Sequence, residues 1–155
     1  MRQTDSVLAG TAAGMIAAFV KSVPNFILFK LHVVGASYWQ LAASVFLMPR
    51  DSLSMIGIIL GITADIIVGG GLGLFLLLSL RHFGRDLWWY KGICAGNLIW
   101  LFGAGVGVNA WARIIPIDPA FRFFSLLEHQ VFGLTTAYLI WRWTVPDPRD
   151  AGKQP

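Results

Sequence analysis

The sequence predicts an all-α membrane protein: four transmembrane helices, with a short interfacial helix between the first and second. Three observations predict it. Of the 155 residues, 56% are hydrophobic and only 13% charged, whereas a soluble domain is roughly 45–50% apolar and about 25% charged. Four apolar stretches reach the ~20 residues that cross a hydrocarbon core of ~30 Å. None alternates with period two, which argues against a β-barrel, and lipid leaves a helix to satisfy its own backbone groups. Mean hydropathy is +0.66.

The first span runs from about Val7 to Val33 and carries Lys21, Pro24 and Lys30. Met1-Arg2 followed by VLAGTAAGMIAAFV has the outline of a secretory leader. Asp5 in its basic end, Lys21 closing its apolar run and the lack of a small-x-small cleavage site make it a retained span instead. The next stretch, GASYWQLAASVFLMPR at 35–50, is too short to cross. Its Tyr, Trp, Phe and Leu predict a short helix lying along the interface, with a re-entrant hairpin as the alternative.

The second span covers about Met55 to Leu80, the third Tyr90 to Ala112 and the fourth Phe121 to Trp143. The aromatic, basic linker RHFGRDLWWYK, 81–91, suits a loop at headgroup level. Residues 1–145 thus form one four-helix transmembrane domain. The Pro-rich charged tail, 146–155, is expected to be disordered. No internal repeat is apparent.

Basic residues orient the spans. Arg2, Arg81, Arg85, Lys91, Arg142, Arg149 and Lys153 fall on the side of the termini, against Arg50, Arg113 and Arg122 on the other. The positive-inside rule then places both termini in the cytoplasm. Trp88, Trp89, Trp141 and Trp143 become an inner aromatic belt, with Trp39 and Trp111 at the outer face. The net charge of +4 is dispersed between apolar runs, which argues for topology signals and against a nucleic-acid surface.

Glycines recur at helical spacing. Gly57, Gly61, Asp65, Gly69 and Gly73 form an unbroken series at intervals of four, so they share one stripe of the second span. Gly10 and Gly14 lead to Ala17 and Lys21 on one face of the first, and Ser125, His129, Gly133 and Ala137 line the fourth. Small residues at such spacing let helices approach closely in lipid. They predict a tight four-helix bundle, or an oligomer interface along the second span.

Each of these three stripes carries an ionisable residue, Lys21, Asp65 or His129, with Glu128 about 100° round the helix from His129. At ~1.5 Å per residue, Lys21, Asp65 and Glu128 lie within about 6 Å of one level. A charge at the bilayer centre costs ~2.5–3.5 kcal/mol on insertion scales, which a Lys21–Asp65 or Lys21–Glu128 contact would reduce. The cluster Lys21, Asp65, Glu128 and His129 is therefore either a latch between helices or a site that handles protons or ions.

Little else carries chemistry. The sequence holds no P-loop, Gly-x-Ser-x-Gly, His-Glu-x-x-His or paired-Cys motif. GGGLG lies mid-span with no following Lys or Ser in place, so it is packing. Cys94 is alone, with no metal-ligand spacing. His32 and His82 lie near opposite membrane edges, which disfavours bis-histidine haem. No catalytic residue, cofactor or metal is expected.

LAGTAAGMIAAFVKSVP in the first span, LEHQVFGLTTAYLIWRW in the last, and a Gly-rich third span after an aromatic basic loop resemble YagU-type proteins. Those are small four-span bacterial inner-membrane proteins of unestablished activity. The resemblance implies a plasma-membrane location and places Lys21 and His129 at matching positions; it transfers no catalytic residue. The segment 35–50 departs from that pattern in length and content. The expectation is a non-enzymatic bundle, partnered by the lipid bilayer and by itself or another membrane protein, acting as a homo-oligomer or accessory subunit. The alternative is a small channel or transporter using the polar cluster.

Overall fold

The computed structural model describes residues 3–107, 115 and 117–144, and every regular element among them is helical. Helix α1 spans Gln3–Lys30, α2 Tyr38–Ala43, α3 Met55–His82, α4 Trp88–Trp100 and α5 Pro119–Trp143. The end of the third predicted span, 108–112 with Asn109 and Trp111, and the tail 146–155 lie outside the described residues.

Local chemistry sets the helix ends. α1 stops three residues short of the predicted Val33 because His32 adopts a left-handed φ of 58°. His32 N–H then donates to Phe29 O at 3.0 Å and Val33 N–H to Leu28 O at 2.9 Å. That pair of bonds is a Schellman cap, with His32 where glycine is usual. Ser54 caps α3 by accepting from Gly57 N–H at 3.1 Å. Asp118 caps α5 by accepting from Phe121 N–H at 2.6 Å. The other oxygen of Asp118 accepts from Gly35 N–H, tying the end of α5 to the α1–α2 connection. From Leu101 to Gly107 the α4 helix continues as π-helix, across Gly103, Gly105 and Gly107.

Helix α1 packs on both α3 and α5, and α4 packs on α5. Glycines set these approaches. A Cβ added at Gly14 would stand 2.7 Å from Gly73 Cα, and one at Gly92 2.7 Å from Gly133 O. The apolar core is three small clusters along the bundle. One holds Leu76, Leu77, Leu80 and Ile140, a central one Ala17, Ala18 and Phe132, and the third Val34, Tyr38 and Phe121.

The segment between α1 and α3 differs from the expected surface helix. It folds back against the bundle, with Tyr38, Trp39 and Ala43 buried. The Trp39 ring is turned toward α1 and lies 4.8 Å from Phe26 and 6.5 Å from Phe19. Its backbone rests on Gly61 of α3, where a Cβ would stand 2.7 Å from Trp39 C. At the opposite end, Trp88 and Trp141 stack at 5.5 Å between ring centroids.

The α3 stripe is consequently divided between partners of its own chain. Gly57 meets the 51–52 turn, Gly61 meets α2, and Gly69 and Gly73 meet Gly14 of α1, while Gly10 faces Gly73 and Leu77. These glycines do not form a free face for a second copy.

Segments 6–30 and 55–82 are long and apolar enough to cross a membrane, with hydropathies of 1.6 and 2.0. Only 22% of the most apolar part of α3 is buried. Ile59, Ile67, Val68, Phe75 and Leu78 are each more than half exposed. Soluble monomers rarely expose contiguous apolar surface on this scale.

Candidate functional site: a polar cluster inside the bundle

Much of the exposed surface of the bundle is apolar, and a set of polar side chains is buried among its apolar clusters. Between Ala17–Ala18 and the end of α1 stand Lys21, Ser22 and Asn25; Lys21 is 7% exposed, Ser22 1% and Asn25 0%. Their spacing of one and four residues puts them on neighbouring lines of one helix face. Between Phe121 and Phe132, α5 contributes Ser125, Glu128 and His129, all buried. Asp65 of α3 and Tyr38 of α2 complete the set.

The structure brings Lys21, Asp65, Glu128 and His129 into one cluster, joined as two linked groups. In the first, Lys21 Nζ lies 3.3 Å from Asp65 Oδ1, and Ser22 Oγ–H donates to Asp65 Oδ2. Asp65 can sit against α1 because the neighbouring Gly69 lets the α1 backbone come close.

In the second group, Glu128 Oε2 accepts from Tyr38 O–H at 2.8 Å and from Asn25 Nδ2–H at 3.2 Å. Asn25 Oδ1 in turn accepts from Tyr38 N–H at 3.0 Å, so one side chain holds both the backbone of α2 and the α5 carboxylate. His129 Nδ1 lies 2.7 Å from Ser125 O. A carbonyl only accepts, so Nδ1 carries a proton there. The Tyr38 oxygen is 3.4 Å from the same nitrogen, and the Tyr38 and His129 rings meet edge-on at 5.5 Å.

The Tyr38 ring links the two groups. Lys21 Nζ sits 3.7 Å from its centroid, a cation–π contact that is worth most where water is excluded. Lys21 thus faces Asp65 and the π-cloud of Tyr38, while Glu128 relies on neutral donors. Glu128 Oε1 is buried and has no hydrogen-bond partner among the described residues, while the Ser125 hydroxyl of the same helix stands beside the Tyr38 hydroxyl.

Sequence reasoning missed Ser22, Asn25 and Tyr38. Asn25 was visible in principle, as the third polar residue on the face of α1 that bears Lys21. Tyr38 had no such signal, because an aromatic flanking a short helix reads equally well as an interface anchor.

Fold and site together define an all-helical bundle with a largely apolar exterior, a polar cluster buried inside it, and two helices of membrane-spanning length and composition. Comparison with protein families, with curated proteins and with solved structures finds no match. Among the described residues, no group of three His, Cys, Asp or Glu is placed to hold a metal ion.

Proposed function

We propose that the chain is a polytopic protein of a bacterial plasma membrane, with four spans and both termini in the cytoplasm. It works without catalysis, as a compact bundle serving as a homo-oligomer or an accessory subunit of a membrane complex. The observation that carries this reading is the inversion of polarity. Ile67 and Phe75 are 63% and 65% exposed while Asn25 and Ser125 are fully buried. In water such an exterior would aggregate; in lipid it is the solvated surface. Most polar groups of the interior bond to one another across α1, α2, α3 and α5, which suits a latch that fixes helix register. The α3 glycines are taken up within the chain, so association with another protein would use another face.

Alkaline extraction of membranes tests the location. The chain should stay in the pellet, and release into the supernatant would refute it. The mass of the particle in lipid nanodiscs then separates an oligomer from a monomeric subunit.

A second reading, a small channel or transporter, is favoured by one observation: the unpartnered Glu128 Oε1. Proton and ion flux into liposomes tests it. Flux equal to that of protein-free vesicles removes this reading and leaves the first.

A further inference from the structure

We infer that the end of the bundle made by the 81–91 loop and the last turns of α3 and α5 is a docking surface for anionic phospholipid headgroups. The surface presupposes the membrane location proposed above and adds to it the class of lipid that this end selects.

Internal bonds fix the shape of this end. Arg85 reaches from the loop to α5, where its guanidinium donates to Thr144 O at 2.6 Å and to Trp141 O. The last carbonyls of a helix lack partners within it, so the arginine both satisfies them and holds the loop to α5. Lys91 closes the loop from its other side, donating to Phe83 O at 2.9 Å and Gly84 O at 3.1 Å and pairing with Asp86 at 3.3 Å. Trp88 packs on Tyr138 and Trp141, at 5.7 and 5.5 Å between ring centroids, and joins α4 to α5 at the same level.

These bonds sort the cations into two kinds. Arg85 and Lys91 are taken up in holding the loop. Arg81 and Arg142, in the last turns of α3 and α5, have no hydrogen bond or ion pair among the described residues. Arg142 is exposed and Arg81 half-buried. The one acid of the loop and these turns, Asp86, is already paired with Lys91. Two guanidinium groups are thus left for a ligand outside the chain.

The surroundings select that ligand. Phe83 is 70% exposed, Leu87 56%, Trp89 48% and Tyr90 55%. Aromatic rings on such a rim settle at headgroup level, which brings the guanidinium groups to the depth of the phosphates. Arginine presents a planar fork of donors that matches a phosphate through two bonds. A surface with cations to spare and no spare acid favours a lipid of net negative charge over a zwitterionic one.

The test is quenching of tryptophan fluorescence in vesicles of phosphatidylcholine and phosphatidylglycerol, with one or the other lipid brominated. Trp88, Trp89, Trp141 and Trp143, four of the seven tryptophans, report on this end. A basic residue near an anionic surface contributes about fivefold in binding, so the wild type should prefer phosphatidylglycerol at least about fivefold. High salt should reduce that preference. Arg81→Gln with Arg142→Gln should bring it within about twofold of unity, while Arg50→Gln, at the opposite end, should leave it unchanged. A last-turn arginine also offsets the helix dipole, but that effect is the same in either lipid. Equal quenching of the wild type by the two lipids would overturn the inference and leave the arginines to an acidic partner protein. An undiminished preference in the double variant would overturn it as well. Quenching by neither lipid would refute the membrane location itself, and the docking surface with it.

Discussion

Replacing Asp65 by Asn removes one charge from the pair that joins α1 to α3 and leaves Lys21 with the Tyr38 ring and the more distant Glu128 carboxylate. The side chains are 8% and 14% exposed, so water cannot easily take over. Breaking a buried pair by removing one partner typically costs about 3–5 kcal/mol, because the remaining charge is left uncompensated. Loss of the Ser22 bond, a charge-assisted one, is a further part of the change, since Asn offers a weaker acceptor. For a chain of this size about 1 kcal/mol moves the midpoint by ~2–4 °C, so Asp65→Asn should lower it by roughly 6–20 °C. Lys21→Met with Asp65→Asn removes both charges and keeps an apolar stem where the lysine lay. The double variant should therefore recover part of the loss, with a coupling of about 1–3 kcal/mol. Thermal unfolding of the wild type, both single variants and the double variant in one detergent gives that coupling. Full additivity, within about 0.5 kcal/mol, would show that the two residues do not sense one another and would refute the latch.

Tyr38→Phe keeps the ring over Lys21 but withdraws the hydroxyl from Glu128 Oε2, and should destabilise by about 1.5–3 kcal/mol in the same assay. Gly14→Val forces a side chain into the backbone of Gly73; it should cost about 3 kcal/mol or more and separate α1 from α3, seen as faster amide exchange in both helices. Gly71→Ala is the matched control. Nothing lies within 4 Å of its added Cβ, so it should be neutral or stabilising by up to about 1 kcal/mol. Asp118→Ala removes the α5 cap and the tie to Gly35 together, and should cost about 1–2 kcal/mol with exchange rising first in the opening turn of α5.

The helix-scale features were legible because they follow a period. Intervals of four from Gly57 to Gly73 place Asp65 among close-approach positions, and Lys21 follows Gly10, Gly14 and Ala17 at similar spacing on α1, so the faces that meet can be read from residue spacing. Segment 35–54 has no such period. A short aromatic stretch buries itself equally well in an interface or against neighbouring helices, and only the fold distinguishes them. One clue was present: the glycine stripe of α3 is longer than α1 covers, and Gly57 and Gly61 needed another backbone, which the 51–52 turn and Trp39 supply. The π-helical stretch 101–107 was likewise hidden, since nothing in the order LFGAGVG distinguishes a π-helical turn from an α-helical one. The bonds to Glu128 depended on that same fold-back, because Tyr38 reaches it from α2.

The central claim is a four-span bundle with its polar groups turned inward, and single-cysteine labelling from the two sides of intact membranes tests it most directly. With Cys94 replaced by Ala, Gln3→Cys and Asp86→Cys should react with an impermeant maleimide only from the cytoplasmic side. Arg50→Cys and Ile117→Cys should react only from the opposite side. Labelling of positions 50 and 86 from the same side would contradict the account, because α3 would then not cross the membrane.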